Sequence, residues 1–172
     1  VQIVHGLGEH ARRYDHVAEH FNRAGYSVYA DDHRGHGETG FRMQANGDIK
    51  KQGNLGPGGM GAVFAGVRAL SHIILGENPE EPLVLFGHSW GSMIAQRIFN
   101  SFSDEYDALI LSGSTLLLPG VLPSAGFNKK WANTPNASGH EWLSRDESVG
   151  HEFANDPKNF KETAMQAFGV TN

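Results

Sequence analysis

Apolar positions in this chain recur with two different periods, and the alternation between them is its first piece of structural information. Val1 to Val4 is a short apolar run ending at His5-Gly6-Leu7-Gly8, which reads as a strand feeding a loop. From Tyr14 to Ala24 the apolar residues Tyr14, Val17, Ala18 and Phe21 are spaced by three and four, so they share one helical face, and Gly25 stops it. Ser27 to Ala30 is β-rich and runs into the polar, glycine-punctuated loop Asp31-Asp32-His33-Arg34-Gly35-His36-Gly37. Phe41 to Gly56 shows no period and reads as irregular. A helix is predicted from about Met60 to Leu75, with Val63, Val67, Leu70 and Ile74 on one face. Pro82 to Phe86 is unbroken apolar sequence, the pattern of a strand buried on both faces. A helix from about Trp90 to Phe102 and a second buried strand from Ala108 to Leu111 follow. Strand and helix in this rhythm imply an α/β fold: a mostly parallel sheet with flanking helices.

After Leu116 the texture changes. Pro119, Pro123 and Pro135 punctuate a segment carrying Phe127, Trp131, Trp142, Phe153, Phe160 and Phe168, with no further strand pattern. The division expected is a sheet core over residues 1–118 and a cap over 119–172. The aromatic content fits a lid over an apolar pocket and equally a small helical subdomain's own core, since the two share a composition.

Composition narrows the class. Hydrophobic residues are 39% and charged residues 19% of the 172, ordinary for a folded globular chain. Fourteen basic against 19 acidic residues give a net charge of -5 with no long run of either sign, which sets nucleic acid aside as a partner. The absence of cysteine removes disulfides, zinc-thiolate sites and cysteine nucleophiles, and is compatible with a reducing compartment. No apolar stretch is read as long enough to span a bilayer, the nearest being Ala108 to Leu122, which polar residues and Pro119 interrupt. No signal peptide is visible, but the chain opens inside an apolar run, so its true start is expected to be missing. A cytoplasmic location, or one peripheral to a membrane, is the expectation.

The chemistry concentrates at Gly87-His88-Ser89-Trp90-Gly91, a G-x-S-x-G pattern between the most strand-like run and a helix. A nucleophile on so sharp a turn takes strained backbone angles, and glycine at 87 and 91 leaves room for the strand and helix to close up. The Ser89 hydroxyl would then stand above a helix N-terminus, whose free N–H groups favour a developing oxyanion. The competing reading is a helix N-terminal serine in a chance motif. His5-Gly6-Leu7-Gly8 can aim a second amide across the cleft, making the N–H groups of Leu7 and Trp90 the candidate oxyanion donors.

His5-Gly6-Leu7-Gly8-Glu9-His10 with Arg13-Tyr14, Asp32-His33-Arg34-Gly35-His36-Gly37, the motif around Ser89, and Leu143-Ser144-Arg145-Asp146 together resemble the monoacylglycerol lipase and lysophospholipase family of α/β hydrolases, of the serine aminopeptidase S33 type. The resemblance runs through essentially the whole chain. It implies an α/β-hydrolase fold with the start of a helical cap, a Ser-His-Asp triad, an oxyanion hole at Leu7 and Trp90, and a cap admitting a single acyl chain. In such proteins the triad Asp and His lie beyond the cap, so they are expected past residue 172 and are assigned to no residue here. The function implied is hydrolysis of a lipid-like ester, a monoacylglycerol or lysophospholipid, through an acyl-enzyme on Ser89. An acyltransferase or small-ester esterase of the same fold, or a truncated non-catalytic product, are the alternatives. The expected partner is a small lipid ester, with transient membrane-surface contact through the cap, no cofactor, and an open oligomeric state.

Other histidines receive structural readings. His88 leaves the turn in another direction, His5 braces the oxyanion loop, and His140 and His151 lie in the cap-like region beside Asp146 and Asp156, which read as a surface helix and an Asp-Pro turn. His16 and His20 are four apart on a helix but lack a third ligand in register, so no metal is assigned. Gly56 to Gly61 fits G-x-G-x-x-G without a preceding strand, and reads as a loop break that starts the next helix. Asp31, Asp32 and Arg34 are expected to fix their loop through side-chain hydrogen bonds.

Overall fold

A computed structural model describes residues 1–115 and 127–161. Four strands, β1 (Gln2–Val4), β2 (Tyr29–Ala30), β3 (Val84–His88) and β4 (Ala108–Ser112), form one all-parallel sheet in the order β2-β1-β3-β4. The helices are α1 (Asp15–Arg23), α2 (Gly37–Ala45), α3 (Gly59–Glu77), α4 (Trp90–Ser101) and α5 (Glu147–Asn155). The expected boundary at residue 118 lies outside the described residues.

Side-chain alternation along the strands sorts the two faces. Val4 and Leu85 pack with Val63, Val67 and Ile74 of α3 and with Ile94, Ala95 and Ile98 of α4. Ile3 faces the other way with Val1 and Tyr14, against Val17 and Phe21 of α1, joined by Val84 and Phe86. One polar group sits inside the first face: Gln2 donates from Nε2 to the Val67 carbonyl and accepts from the Ser71 hydroxyl, which also meets the Tyr106 hydroxyl. With both ends of its amide bonded, Gln2 is carried in the core without an orphaned group.

The structure corrects three expectations. The stretch expected to be irregular from Phe41 begins inside a helix: residues 37–45 form α2, because the Glu38 N–H is capped by Asp32 Oδ2 and Met43 is buried. β4 is not buried on both faces: Ile110 is 38% and Leu111 40% exposed, since an apolar run reports hydrophobicity and not whether anything covers it. Helix α3, at 19 residues, is long and apolar enough by composition to cross a bilayer, which the sequence reading denied to every segment. Its buried face of Val63, Val67, Ser71 and Ile74 packs as a flank of the sheet.

Candidate active site

Strand order decides where the site forms. From β1 the chain passes through α1 to β2 on one side; from β3 it passes through α4 to β4 on the other. β1 and β3 are neighbours, paired with Val4 opposite Gly87, so the loops leaving their C-terminal ends diverge and open a crevice. His5-Gly6-Leu7-Gly8 and Ser89-Trp90-Gly91 lie on either side of it.

The β3–α4 turn is held by backbone proximity. Ser89 has φ 52° and ψ -122°, one of two non-glycine residues with positive φ among those described. Its N–H donates to the Ser112 carbonyl across β4, and its carbonyl accepts from the Ser92 N–H and hydroxyl. A Cβ at Gly87 would fall 2.6 Å from Ser92 Cα, and one at Gly91 would fall 2.0 Å from the Val4 carbonyl oxygen, so only glycine admits the close crossing of α4 over β1. Ser89 stands at the N-cap position of α4 yet makes no capping hydrogen bond with its side chain. That geometry disfavours the helix-cap reading of this serine, because a capping hydroxyl would be turned onto the N–H of the second or third helical residue.

The loop after β1 is held instead by side chains. Glu9 Oε1 accepts from the Gly6 N–H at 2.7 Å and from the Tyr14 hydroxyl at 2.6 Å, while Oε2 accepts from Arg13 Nε at 3.1 Å. Burial, then Glu9 beside it, raises the Tyr14 phenol far above its ordinary value, so it remains a donor. His5 Nδ1 donates to the Gly6 carbonyl at 2.8 Å and its Nε2 accepts from the His33 N–H at 3.0 Å. Burial holds the His5 imidazole well below its ordinary value, which keeps that acceptor nitrogen bare. Gly6 comes so close to the serine that a Cβ there would be 3.2 Å from Ser89 Cβ. Among the described residues, the loop and turn hydrogen bonds use neither the Leu7 nor the Trp90 N–H.

The Trp90 side chain is 2% exposed and stacks on His36 at 5.1 Å, with His33 edge-on at 6.0 Å. His33 in turn stacks on His5 at 3.9 Å. His36 donates from Nδ1 to the Arg34 carbonyl and is pulled down to about 3, chiefly by burial. These rings form a buried pillar beneath both loops. Other assignments fall as the residue types suggested. His88 turns to the Ser112 hydroxyl at 3.1 Å; Asp32 Oδ1 holds the Ala11 N–H; Arg34 Nε donates to the Leu55 carbonyl; His20 Nδ1 donates to the His16 carbonyl. Gly58, left-handed at φ 90°, leads into α3. Asp146 caps α5 by accepting from the Ser148 N–H.

Sequence reasoning gave Glu9, Ser92 and Asp156 no part in holding the site. The first two sit three residues from Gly6 and Ser89, a spacing at which side chains reach back to a turn, and that was the available signal. Asp156 does form the Asp-Pro turn, its Oδ1 accepting from the Lys158 N–H, and its Oδ2 also pairs with buried His10 at 2.8 Å across 146 residues of sequence.

A parallel sheet with a switch point between β1 and β3, and a strained serine between strand and helix at that point, define an α/β hydrolase. The family profile described as "Serine aminopeptidase, S33" matches residues 1–170, and the chain belongs to that family. It is similar to a monoacylglycerol lipase of Mycolicibacterium smegmatis, with 36% identity covering 66% of this chain and 36% of that protein. It is also similar to mouse monoglyceride lipase, with 33% identity covering 98% of this chain and 54% of the relative. Among solved structures, a thermostable carboxyl esterase from Bacillus coagulans in complex with glycerol superposes with a TM-score of 0.77 at 30% identity, covering 97% of this chain and 61% of the esterase. The monoacylglycerol lipase of Paleococcus ferrophilus gives 0.65 at 26% identity, covering 93% and 59%. The chain thus spans roughly a third to three fifths of these proteins' length.

Proposed function

We propose that this chain carries the nucleophile and oxyanion hole of a serine carboxylic-ester hydrolase acting on a lipid-like ester with one acyl chain, such as a monoacylglycerol or lysophospholipid. The observation that carries the reading is Ser89: a non-glycine residue at φ 52°, uncommitted as a helix cap and abutting the Gly6 loop. Its Oγ attacks the ester carbonyl carbon while a general base takes the hydroxyl proton. The carbonyl oxygen becomes an oxyanion held by the Leu7 and Trp90 N–H groups. Collapse expels the alcohol, protonated by the same base, and leaves an acyl-enzyme that water hydrolyses. The base is assigned to no residue described above: His88 is turned to Ser112, and His5 and His36 are buried with Nδ1 committed to carbonyls. The names of the relatives support the choice of a monoacylglycerol, and the aromatic segment from Phe127 onward supports an apolar acyl site.

The test is a fluorophosphonate probe on the full-length protein with Ser89→Ala beside it, then hydrolysis of esters graded by acyl length. Labelling of the wild type alone, with preference for long single chains over acetyl esters, is expected. Equal labelling of both proteins would remove Ser89 as nucleophile, and a preference for acetyl esters would remove the lipid reading.

A further inference from the structure

The segment that follows α5 is tied to the loop after β1, and through Lys158 Nζ to Glu38 Oε1 of α2 at 2.7 Å. Asp156 Oδ2 accepts from His10 Nε2 at 2.8 Å, and His10 is only 5% exposed. Asp156 Oδ1 accepts from the Lys158 N–H at 2.8 Å, which turns the chain so that the Phe160 N–H donates to the Gly8 carbonyl at 2.9 Å. Gly8 is left-handed at φ 74°, and a Cβ there would lie 2.2 Å from the Phe160 carbonyl oxygen. The Phe160 ring rests on His36 at 4.8 Å, which stacks on Trp90. Further back, the Arg13 guanidinium lies over the Phe153 ring at 4.9 Å while its Nε holds Glu9.

Leu7 therefore sits between two anchors of different origin. On one side Gly6 is fixed from within the sheet domain by His5 and Glu9. On the other, Gly8 is fixed by the Phe160 amide from the segment after α5. We propose that residues 156–160 act as a clamp that aligns the Leu7 N–H, with Asp156 and His10 as positioning residues, so that seating of this segment and competence of the oxyanion hole rise and fall together. The inference rests on the proposed function, because it gives the Leu7 amide its role. Release of Asp156 from His10 frees the Gly8 side of the loop and leaves the Gly6 side in place.

The experiment compares Asp156→Ala, His10→Ala and His10→Gln with Asp146→Ala, which removes the α5 cap without touching the loop. Expected are a roughly tenfold slower phosphonylation of Ser89 and a matching fall in kcat, with KM within twofold, in Asp156→Ala and His10→Ala. His10→Gln, whose amide nitrogen occupies the place of Nε2, should recover most of the rate. Asp146→Ala should lower thermal stability and leave the rate alone. Amide hydrogen exchange adds an arm independent of catalysis: Phe160, whose N–H donates to the Gly8 carbonyl, should exchange at least tenfold faster in Asp156→Ala, with β1 unchanged. Rates that follow stability alike in Asp146→Ala and Asp156→Ala, or unchanged exchange at Phe160, overturn the clamp. A wild type that never labels would sink the proposed function, and the exchange pattern would still decide the clamp.

Discussion

The two loops that face each other across the crevice are built on opposite plans. The turn after β3 is fixed by backbone packing: Gly87 and Gly91 let α4 cross β1 with no room for a methyl group, and the Ser89 amide is pinned to β4. The loop after β1 is fixed by side chains reaching into it, Glu9 onto Gly6 from one side and His5 from the other. A turn made of backbone contact has no intermediate settings, because any added atom must move a strand. A loop held by a buried carboxyl and an imidazole keeps its fold when a prop is removed and loses only its alignment. The proposed nucleophile is placed on the first kind and the proposed adjustable donor on the second.

Changes that break this contrast are ranked by it. Gly91→Ala pushes a Cβ into the Val4 carbonyl, and should cost about 3 kcal/mol or more of stability, enough to prevent folding. The denaturant midpoint, or absence of a cooperative transition, reads this. Glu9→Ala strips the Gly6 N–H and the Tyr14 hydroxyl of their common acceptor; burying them unpaired costs about 2 kcal/mol. Because the loop survives, phosphonylation of Ser89 should fall more than tenfold while the fold persists, and an unchanged rate would show that Glu9 does not align the loop.

Acid should loosen the pillar under both loops. His36 titrates at about 3 in the folded protein against 6.5 ordinarily, and His5 is shifted in the same direction, both chiefly by burial. The unfolded chain thus binds more protons below pH 6.5, so stability is full above that value and declines as pH falls toward 3. The slope is about 1.4 kcal/mol per pH unit for each such imidazole. Urea titrations from pH 7 to pH 4 check it; a flat midpoint would mean these rings are not neutral and buried. The smallest effect is expected of Ser92→Ala, which removes one hydroxyl from the Ser89 carbonyl and from Ser114 Oγ. It should lower stability by about 1 kcal/mol, read from the melting temperature, and leave the labelling rate within twofold, since the backbone still holds the turn.

How much of this was legible in sequence follows the same division. Period and glycine spacing disclosed the strands, α1, α3, α4 and the serine turn, because those depend on local pattern and on atoms too close for a side chain. Residues 37–45 were missed because Gly37-Glu38-Thr39-Gly40 carries two poor helix formers and no apolar stripe; Asp32, six residues before Glu38, supplies the cap. The exposure of Ile110 and Leu111 was missed because an apolar run looks the same whether or not anything covers it. Glu9 and Asp156 were beyond reach for a third reason: a buried acid is recognised by the donors that converge on it, and those of Asp156 come from opposite ends of the chain.

One feature of the β3–α4 turn bears on durability. A dihedral pair such as that of residue 89 is comfortable for glycine and uphill for serine by roughly 1–3 kcal/mol. Ser89→Gly should therefore yield a protein that melts several degrees higher and hydrolyses nothing. The molecule would outlast its natural form by giving up the one hydroxyl that its proposed chemistry demands.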